Sequence, residues 1–269
     1  MPKATEIYMD NATAIFIPVR LSSTRLPLKA MRRIQNKPCL QLLVERVKRS
    51  RRIDLIVLCT TMHKNDDELV NVAKRLDIEC FRGTDVDILE RYRQAAMKHH
   101  VKRIVNVDGD DIFCEPSFID LTAERLSDAD CVLWQDVPLG SSPVGIGTSA
   151  LEKICSIKDV SNTETGWTRF FTETGLFHVV RLRPDNPELR DPNIRLTIDY
   201  EQDFRLFEKI YENLKEPFDL ADIVRLLRAK PELAKINENL KDIYMKNFNS
   251  KAVSVKLKKQ YEIRDKPDG

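Results

Sequence analysis

The sequence predicts an α/β fold, a mostly parallel sheet covered by helices. Short apolar, β-rich runs alternate with amphipathic stretches of helical period through the first half of the chain. The runs have the character of strands buried on both faces, which is how parallel sheets sit between helices. Polar loops rich in charge follow the runs, and in such sheets ligands bind outside the carboxyl ends of the strands.

Residues 1–11 have no useful periodicity and are expected to be a flexible lead-in. "TAIFIPV" (13–19) is the first strand, and Pro38 opens a helix with Leu40, Leu43, Val44 and Val47 on one side. "LIVLCT" (55–60) is a second strand, and "NDDELVNVAKRL" a helix with Asp66, Asp67 and Glu68 in its first turn, where acids suit the dipole. "IECF", the helix "ILERYRQAAMKHH", the strand "RIVNV" and a helix after Pro116 continue the alternation. From Cys131 to Arg195 the periodicity weakens, and "PLGSSPVGIGTS" and "DNPELRDPN" bring turn chemistry, so hairpins and site loops are expected there. "IRLTID" (194–199) returns to strand character, and a helix follows with Phe204, Phe207, Tyr211 and Leu214 along one side. A final helical stretch covers "DLADIVRLLRAKPELAKINENL". This divides the chain into one domain over 12–215, a helical extension of it over 216–250 and a lysine-rich, mobile tail over 251–269. No internal repeat is present.

A hydrophobic content of 42% in 269 residues supports a normal globular core, and a formal charge of +2 excludes a strongly basic nucleic-acid protein. Cys39, Cys59, Cys80, Cys114, Cys131 and Cys155 are scattered, never in CxxC spacing, which argues against zinc or disulfides and for a reducing compartment. The amino terminus shows no basic region followed by an apolar stretch, and no run is long enough to span a bilayer. A cytoplasmic protein without membrane or nucleic-acid partners is the expectation.

Local charge is less even. "PVRLSSTRLPLK" (18–29) places Arg20, Arg25 and Lys29 in one loop after the first strand, with Ser22, Ser23 and Thr24 as neutral donors. That set can converge on a polyphosphate. The alternative is a surface loop whose arginines pair with nearby acids. Neither GxxxxGK[ST] nor GxGxxG is present, so ATPase and dinucleotide readings lose their usual support. A second candidate is "VNVDGDDIF", where a strand ends in Asp108, Gly109, Asp110 and Asp111. Clustered carboxylates are costly unless solvated, paired or bound to metal. A third is Asp199, followed by Glu201 and Asp203, which read as acids at a helix start. If Asp110 and Asp199 lie on neighbouring strand ends, they can hold Mg²⁺ between them, facing phosphates gripped by the basic loop. The histidines His63, His99, His100 and His178 show no partner pattern.

"RLSSTRLPLK" resembles the R-x-x-S-T-R-L-P-x-K signature of the cytidylyltransferases that activate acidic sugars such as Kdo, especially the spore-coat polysaccharide protein F group. "FRGTDVDILERY" (81–92), Gly109-Asp110, residues 194–204 and "KPELAKIN" follow in the order of that group, so the likeness runs from residue 12 to 240. The resemblance implies a Rossmann-like nucleotidyltransferase fold, a GT-A-like three-layer sandwich, and a possible homodimer. It implies that an acceptor hydroxyl attacks the α-phosphorus of CTP with Mg²⁺ present, releasing pyrophosphate and forming a CMP-linked product. By position, Arg20, Ser23, Arg25 and Lys29 match the triphosphate contacts, with Arg25 and Lys29 beside Asp110 as the catalytic set. Arg82, Gly83 and Asp108 match positions near the nucleotide, and Asp110 and Asp199 match the metal carboxylates.

Two departures stand out. The glycine common between Pro and Lys in the signature is Leu28, and the group's "REHVTPY" stretch is replaced by "TETGWTRFF" (163–171). The latter stretch is expected to face the acceptor, an acidic sugar or a phosphorylated or phosphonate compound. Thr165, Trp167, Arg169 and Arg195 are the candidate contacts. A GT-A-type glycosyltransferase also places Asp-Gly-Asp at a strand end, and a catalytically inactive nucleotide-binding relative is the third reading.

Overall fold

The computed structural model describes residues 11–23 and 25–261. Most of the expected lead-in, Thr24 and residues 262–269 lie outside the described residues. The strands are β1 (Ala12–Pro18), β2 (Arg33–Ile34), β3 (Lys37–Pro38), β4 (Leu55–Thr61), β5 (Glu79–Gly83), β6 (Val101–Asn106), β7 (Cys131–Trp134), β8 (Val144–Gly147) and β9 (Val179–Leu182). The helices are α1 (Cys39–Val47), α2 (Asp67–Arg75), α3 (Ile88–Lys98), α4 (Pro116–Arg125), α5 (Thr148–Ile157), α6 (Arg169–Thr172), α7 (Glu201–Asn213), α8 (Leu220–Ala229), α9 (Pro231–Ala234) and α10 (Leu240–Lys251).

Among the described residues, seven strands form one sheet in the order β5-β4-β1-β6-β8-β7-β9, and β2 and β3 make a small separate hairpin. β1 lies between β4 and β6, parallel to both. β8 is antiparallel to β6 and β7, which carries the sheet on to β9. Alternate residues of β1 enter two different cores, as the pleat requires. Ala14 and Phe16 join Val57, Cys59 and Ile104 under α3 and α5, while Ile15 and Ile17 join Leu58 and Val105 under α1, α4 and α7. Each of the large side chains fully buried this way contributes about 1.5–3 kcal/mol. The sheet is therefore covered on both faces, the three-layer α/β architecture expected.

Local chemistry sets the helix starts. The Asp87 carboxylate accepts from Glu90 N at the start of α3, and Glu115 caps α4, whose first residue is Pro116. Three features differ from the sequence reading. Residues 148–157, expected as loop, form α5, whose Ala150, Leu151, Ile154 and Ile157 are buried. Residues 194–199, expected as a strand, belong to none of the strands. Leu139 and Arg195 make a single bridge, Leu196 N donates to Leu139 O, and Ile198 N donates to Asp110 O. The alternation is real, with Ile194, Leu196 and Ile198 all buried, but the backbone partners are loops. Finally, the start of the expected mobile tail is docked: Val253 N donates to Thr165 O, Lys258 N to Ile157 O, and Leu257 is buried.

Candidate active site

The site forms where the chain leaves β1 and β6. Val107 N and Gly109 N donate to Phe16 O and Pro18 O, so the segment after β6 runs beside the start of the basic loop. A β-carbon at Gly109 would stand 2.3 Å from Val19 Cγ2, and only glycine permits this approach. The buried Asp66 anchors the loop by accepting from Leu21 N at 2.8 Å. The loop then turns at Leu28, whose φ of 53° and ψ of 26° lie in the left-handed region. A short 3-10 turn, Lys29–Met31, follows, and Lys29 points back into the cleft.

Lys29 is the hub. Its ammonium donates to Asp110 Oδ2 in a short contact, to Asp199 Oδ1 at 3.0 Å and to Ile198 O at 3.0 Å. Arg25 Nη2 also pairs with Asp199 Oδ1, while Arg195 Nη2 reaches Asp199 Oδ2 at 3.1 Å. Asp199 is nearly inaccessible, with 3% of its side chain exposed, whereas Asp110 retains 30%. Burial pushes the Asp110 carboxyl up to about 6, helped by Asp199 and Asp108 and opposed by Lys29. Burial would raise Asp199 too, but Lys29, Arg25 and Arg195 outweigh it and hold it below the usual carboxylate value. Two carboxylates from separate segments thus converge on one cationic atom. That donor set fits a hard divalent cation, which takes one or two carboxylates and completes its shell with phosphate oxygens and water.

The other residues singled out from the sequence fall into three groups. In the loop, Arg20 is half exposed and meets Glu164 at 3.5 Å, Ser22 is exposed, and Ser23 Oγ accepts from Leu26 N at 3.4 Å. Asp108 is exposed at the mouth, steered by Asn106 Nδ2 at 3.0 Å. Further off, Arg82 directs its guanidinium to Asp67, Thr61 O and His63 O, tying β5 to the loop after β4. A β-carbon on Gly83 would meet Arg91 Cγ at 2.9 Å, so this glycine serves the packing of α3.

The four acceptor candidates each have structural partners. Thr165 O accepts from Val253 N. Trp167 is buried edge-on to Tyr92 and Phe171. Arg169 pairs with Glu173 and donates to Val253 O. Arg195 is buried on Asp199 and Asp203, which removes it from direct contact with an acceptor in this arrangement. From the "TETGWTRFF" stretch it is Glu164 that reaches the basic loop, bridging Arg20 and Arg91. Glu164, Asp66, Asn106 and Asp203 were not singled out as site residues from the sequence. The i,i+4 spacings of Arg195, Asp199 and Asp203 were the available signal for the last.

A cytidylyltransferase family model matches residues 14–216. The chain belongs to the cytidylyltransferase family. It is 32% identical to an uncharacterized protein of Methanocaldococcus jannaschii, over 84% of this chain and 94% of the relative. It is 25% identical to the spore coat polysaccharide biosynthesis protein SpsF of Bacillus subtilis, over 83% and 97%. Among solved structures, a cytidylyltransferase from Leptospira borgpetersenii superposes with a TM-score of 0.76 at 24% identity, covering 83% of this chain and 97% of that one. A CMP-Kdo synthetase complexed with CTP superposes at 0.59 with 13% identity, covering 76% and 99%. These two likenesses establish the nucleotidyltransferase fold. The chain has no helix among its described residues long and apolar enough to cross a membrane.

Proposed function

We propose that this cytidylyltransferase-family protein transfers a cytidylyl group from CTP to the hydroxyl of an acidic sugar or a related phosphorylated or phosphonate acceptor. The observation that carries this reading is the convergence of Lys29 and Arg25 on Asp110 and Asp199 at the mouth of the sheet. In the reaction the acceptor hydroxyl gives up its proton to solvent as its oxygen forms a bond to the α-phosphorus, the bond from that phosphorus to the β-phosphate oxygen breaks, and pyrophosphate departs. Arg20, Arg25, Lys29, Ser22 and Ser23 surround the triphosphate, and Arg25 and Lys29 balance the negative charge that accumulates on the leaving pyrophosphate. Asp110 and Asp199 would hold a divalent cation such as Mg²⁺, which would neutralise phosphate charge and lower the pKa of the attacking hydroxyl. The acceptor enters beside Arg20 and Glu164, where the 163–171 stretch meets the loop.

Pyrophosphate release tests this. All four nucleoside triphosphates are screened with acidic sugars and phosphorylated or phosphonate acceptors, with Asp110→Ala and Lys29→Ala as controls. CTP with one acceptor class should release pyrophosphate in step with a CMP-linked product, and both variants should lose most turnover. Release of a nucleoside diphosphate from a nucleotide sugar would instead identify a glycosyltransferase.

A further inference from the structure

Asp199 must keep one orientation while its neighbours rearrange, because Lys29 now occupies the point between the two carboxylates that the cation is proposed to take. Its Oδ1 faces Lys29 and Arg25, and only Oδ2 faces the body of the protein, through Arg195. Arg195 is 3% exposed and places Nε and Nη2 on Asp203 at 2.8 and 3.0 Å. Asp203, fully buried, also accepts from the backbone N–H groups of Asp199 and Tyr200, at 2.9 and 3.0 Å. Arg195 and Asp203 therefore fix both the side chain and the backbone of Asp199.

The brace is completed from outside the span that the family model matches. Asn237 Nδ2 donates to Asp203 Oδ1 at 2.9 Å and to Arg195 O at 3.2 Å. The Tyr244 ring on α10 lies 4.7 Å from the Arg195 guanidinium carbon, with Tyr200 at 5.8 Å. Asn247 Nδ2, one turn on, donates to the Tyr200 hydroxyl at 2.8 Å. Arg195 Nη1 is buried without a hydrogen-bond partner among the described residues. An unsatisfied buried N–H is costly, and a cation over an aromatic face recovers only part of that cost. A cluster built for stability alone would be better served by apolar packing. A planar fork that grips two carboxylates at once, backed by a ring, is suited instead to aiming one of them.

We propose that Arg195, braced by Asn237 and Tyr244 of the carboxyl-terminal segment, positions Asp199 for the divalent cation. The proposal rests on the reading of Asp199 as a metal carboxylate. It makes Arg195, Asn237 and Tyr244 positioning residues of the reaction, and α10 a working part of the site.

The test compares wild type with Tyr244→Leu, Asn237→Ala, Arg195→Lys and Asp199→Ala, each confirmed folded by circular dichroism. Mn²⁺ is titrated with CTP and no acceptor, and protein-bound Mn²⁺ is read from its EPR line shape against Mn²⁺·CTP alone. Pyrophosphate release is then measured over the same Mn²⁺ range. Tyr244→Leu, Asn237→Ala and Arg195→Lys should each need about 10- to 100-fold more Mn²⁺ in both readouts. The KM for CTP at saturating Mn²⁺ should change less than about threefold, because the phosphate loop is untouched. Variants that melt earlier but keep the wild-type Mn²⁺ requirement and line shape would overturn the proposal, since a merely structural brace gives that result. If Asp199→Ala alone shifts the requirement, the metal reading stands and the positioning proposal falls. If even Asp199→Ala binds Mn²⁺ like wild type, both fall.

Discussion

The two carboxylates that meet at Lys29 are held in opposite ways. Asp110 lies at the tip of the segment after β6, partly open, with Lys29 as its ion-pair partner and Asp108 and Asp199 as like-charged neighbours. Asp199 is enclosed by Arg25, Lys29 and Arg195 and backed by Asp203. The ionised form of Asp110 is disfavoured by burial and by its like-charged neighbours, and that of Asp199 is favoured by its three cations. One carboxylate is therefore held by a single cation at a partly open position, and the other by three cations in a buried frame. A fold can use the same residue type as scaffold and as reagent by changing only its surroundings.

The largest expected effects break this contrast directly. Asp199→Ala should reduce turnover on the order of 10³-fold and destabilise the protein by about 3 kcal/mol at neutral pH. Since the folded-state pKa of Asp199 is depressed, that stabilisation is present above the ordinary carboxylate value and lost as pH falls through the folded one. Asp110→Asn should lose turnover on the same scale yet melt no lower than wild type at pH 7.5. Its raised pKa means the wild-type charge weighs against folding above about 6, and that penalty disappears below the ordinary value. Thermal melts of both variants from pH 3 to 8, beside pyrophosphate-release rates, check the pair. Equal destabilisation at neutral pH would erase the contrast.

Lys29→Met comes next. Removing the ammonium should cost about 10²-fold in kcat, through lost charge balance on the pyrophosphate. It also leaves the point between Asp110 and Asp199 without its resident cation, so Mn²⁺ should bind more tightly in the absence of nucleotide than it does to wild type. Calorimetric titration of nucleotide-free protein measures this. Unchanged or weaker Mn²⁺ binding would show that the lysine and the cation do not share one place.

Smaller again is the pH response. The kcat/KM for CTP reports groups of the free enzyme, and the proposed metal role of Asp110 requires it to be ionised. With Lys29, Asp199 and Asp108 facing it, the acid limb should bend near 6 and fall tenfold per pH unit below. Asp108→Asn, which removes one like charge, should move that bend down. A wild-type limb lying wholly below pH 5 would mean that Asp110 is better paired than its surroundings indicate.

Much of this was legible in the sequence, for reasons that also explain the gaps. The β1, β4 and β6 strands are apolar because both their faces are covered, and such runs stand out without any structure. The basic loop, Asp110 and Asp199 stood out because charge at the end of an apolar run needs an explanation. Arg195 was legible as a charge but not as a partner, since burial against Asp203 and under Tyr244 depends on where α10 returns. The same holds for Asn237, a neutral residue in a polar stretch. The segment 194–199 shows the converse: its alternation follows from one buried face, but alternation does not reveal whether a strand or a loop supplies the hydrogen bonds.

The smallest effect concerns Leu28, next to the hub of the comparison. It adopts a left-handed conformation that costs a residue with a β-carbon about 1–2 kcal/mol, and its side chain is 52% exposed, so little burial offsets the strain. Its carbonyl accepts from Met31 N at 2.8 Å, which starts the turn that aims Lys29. Leu28→Gly relieves the strain but adds freedom to the unfolded chain worth about 0.4–1 kcal/mol in the other direction. The net expectation is a gain of between about zero and about 1.6 kcal/mol in unfolding free energy, read by urea titration, with Lys29 still on both carboxylates. Because glycine also lets backbone approach a phosphate more closely, the KM for CTP should fall while kcat stays within about twofold. A rise in KM would mean that the leucine side chain itself contacts the nucleotide, placing Leu28 with the reagents and not with the frame.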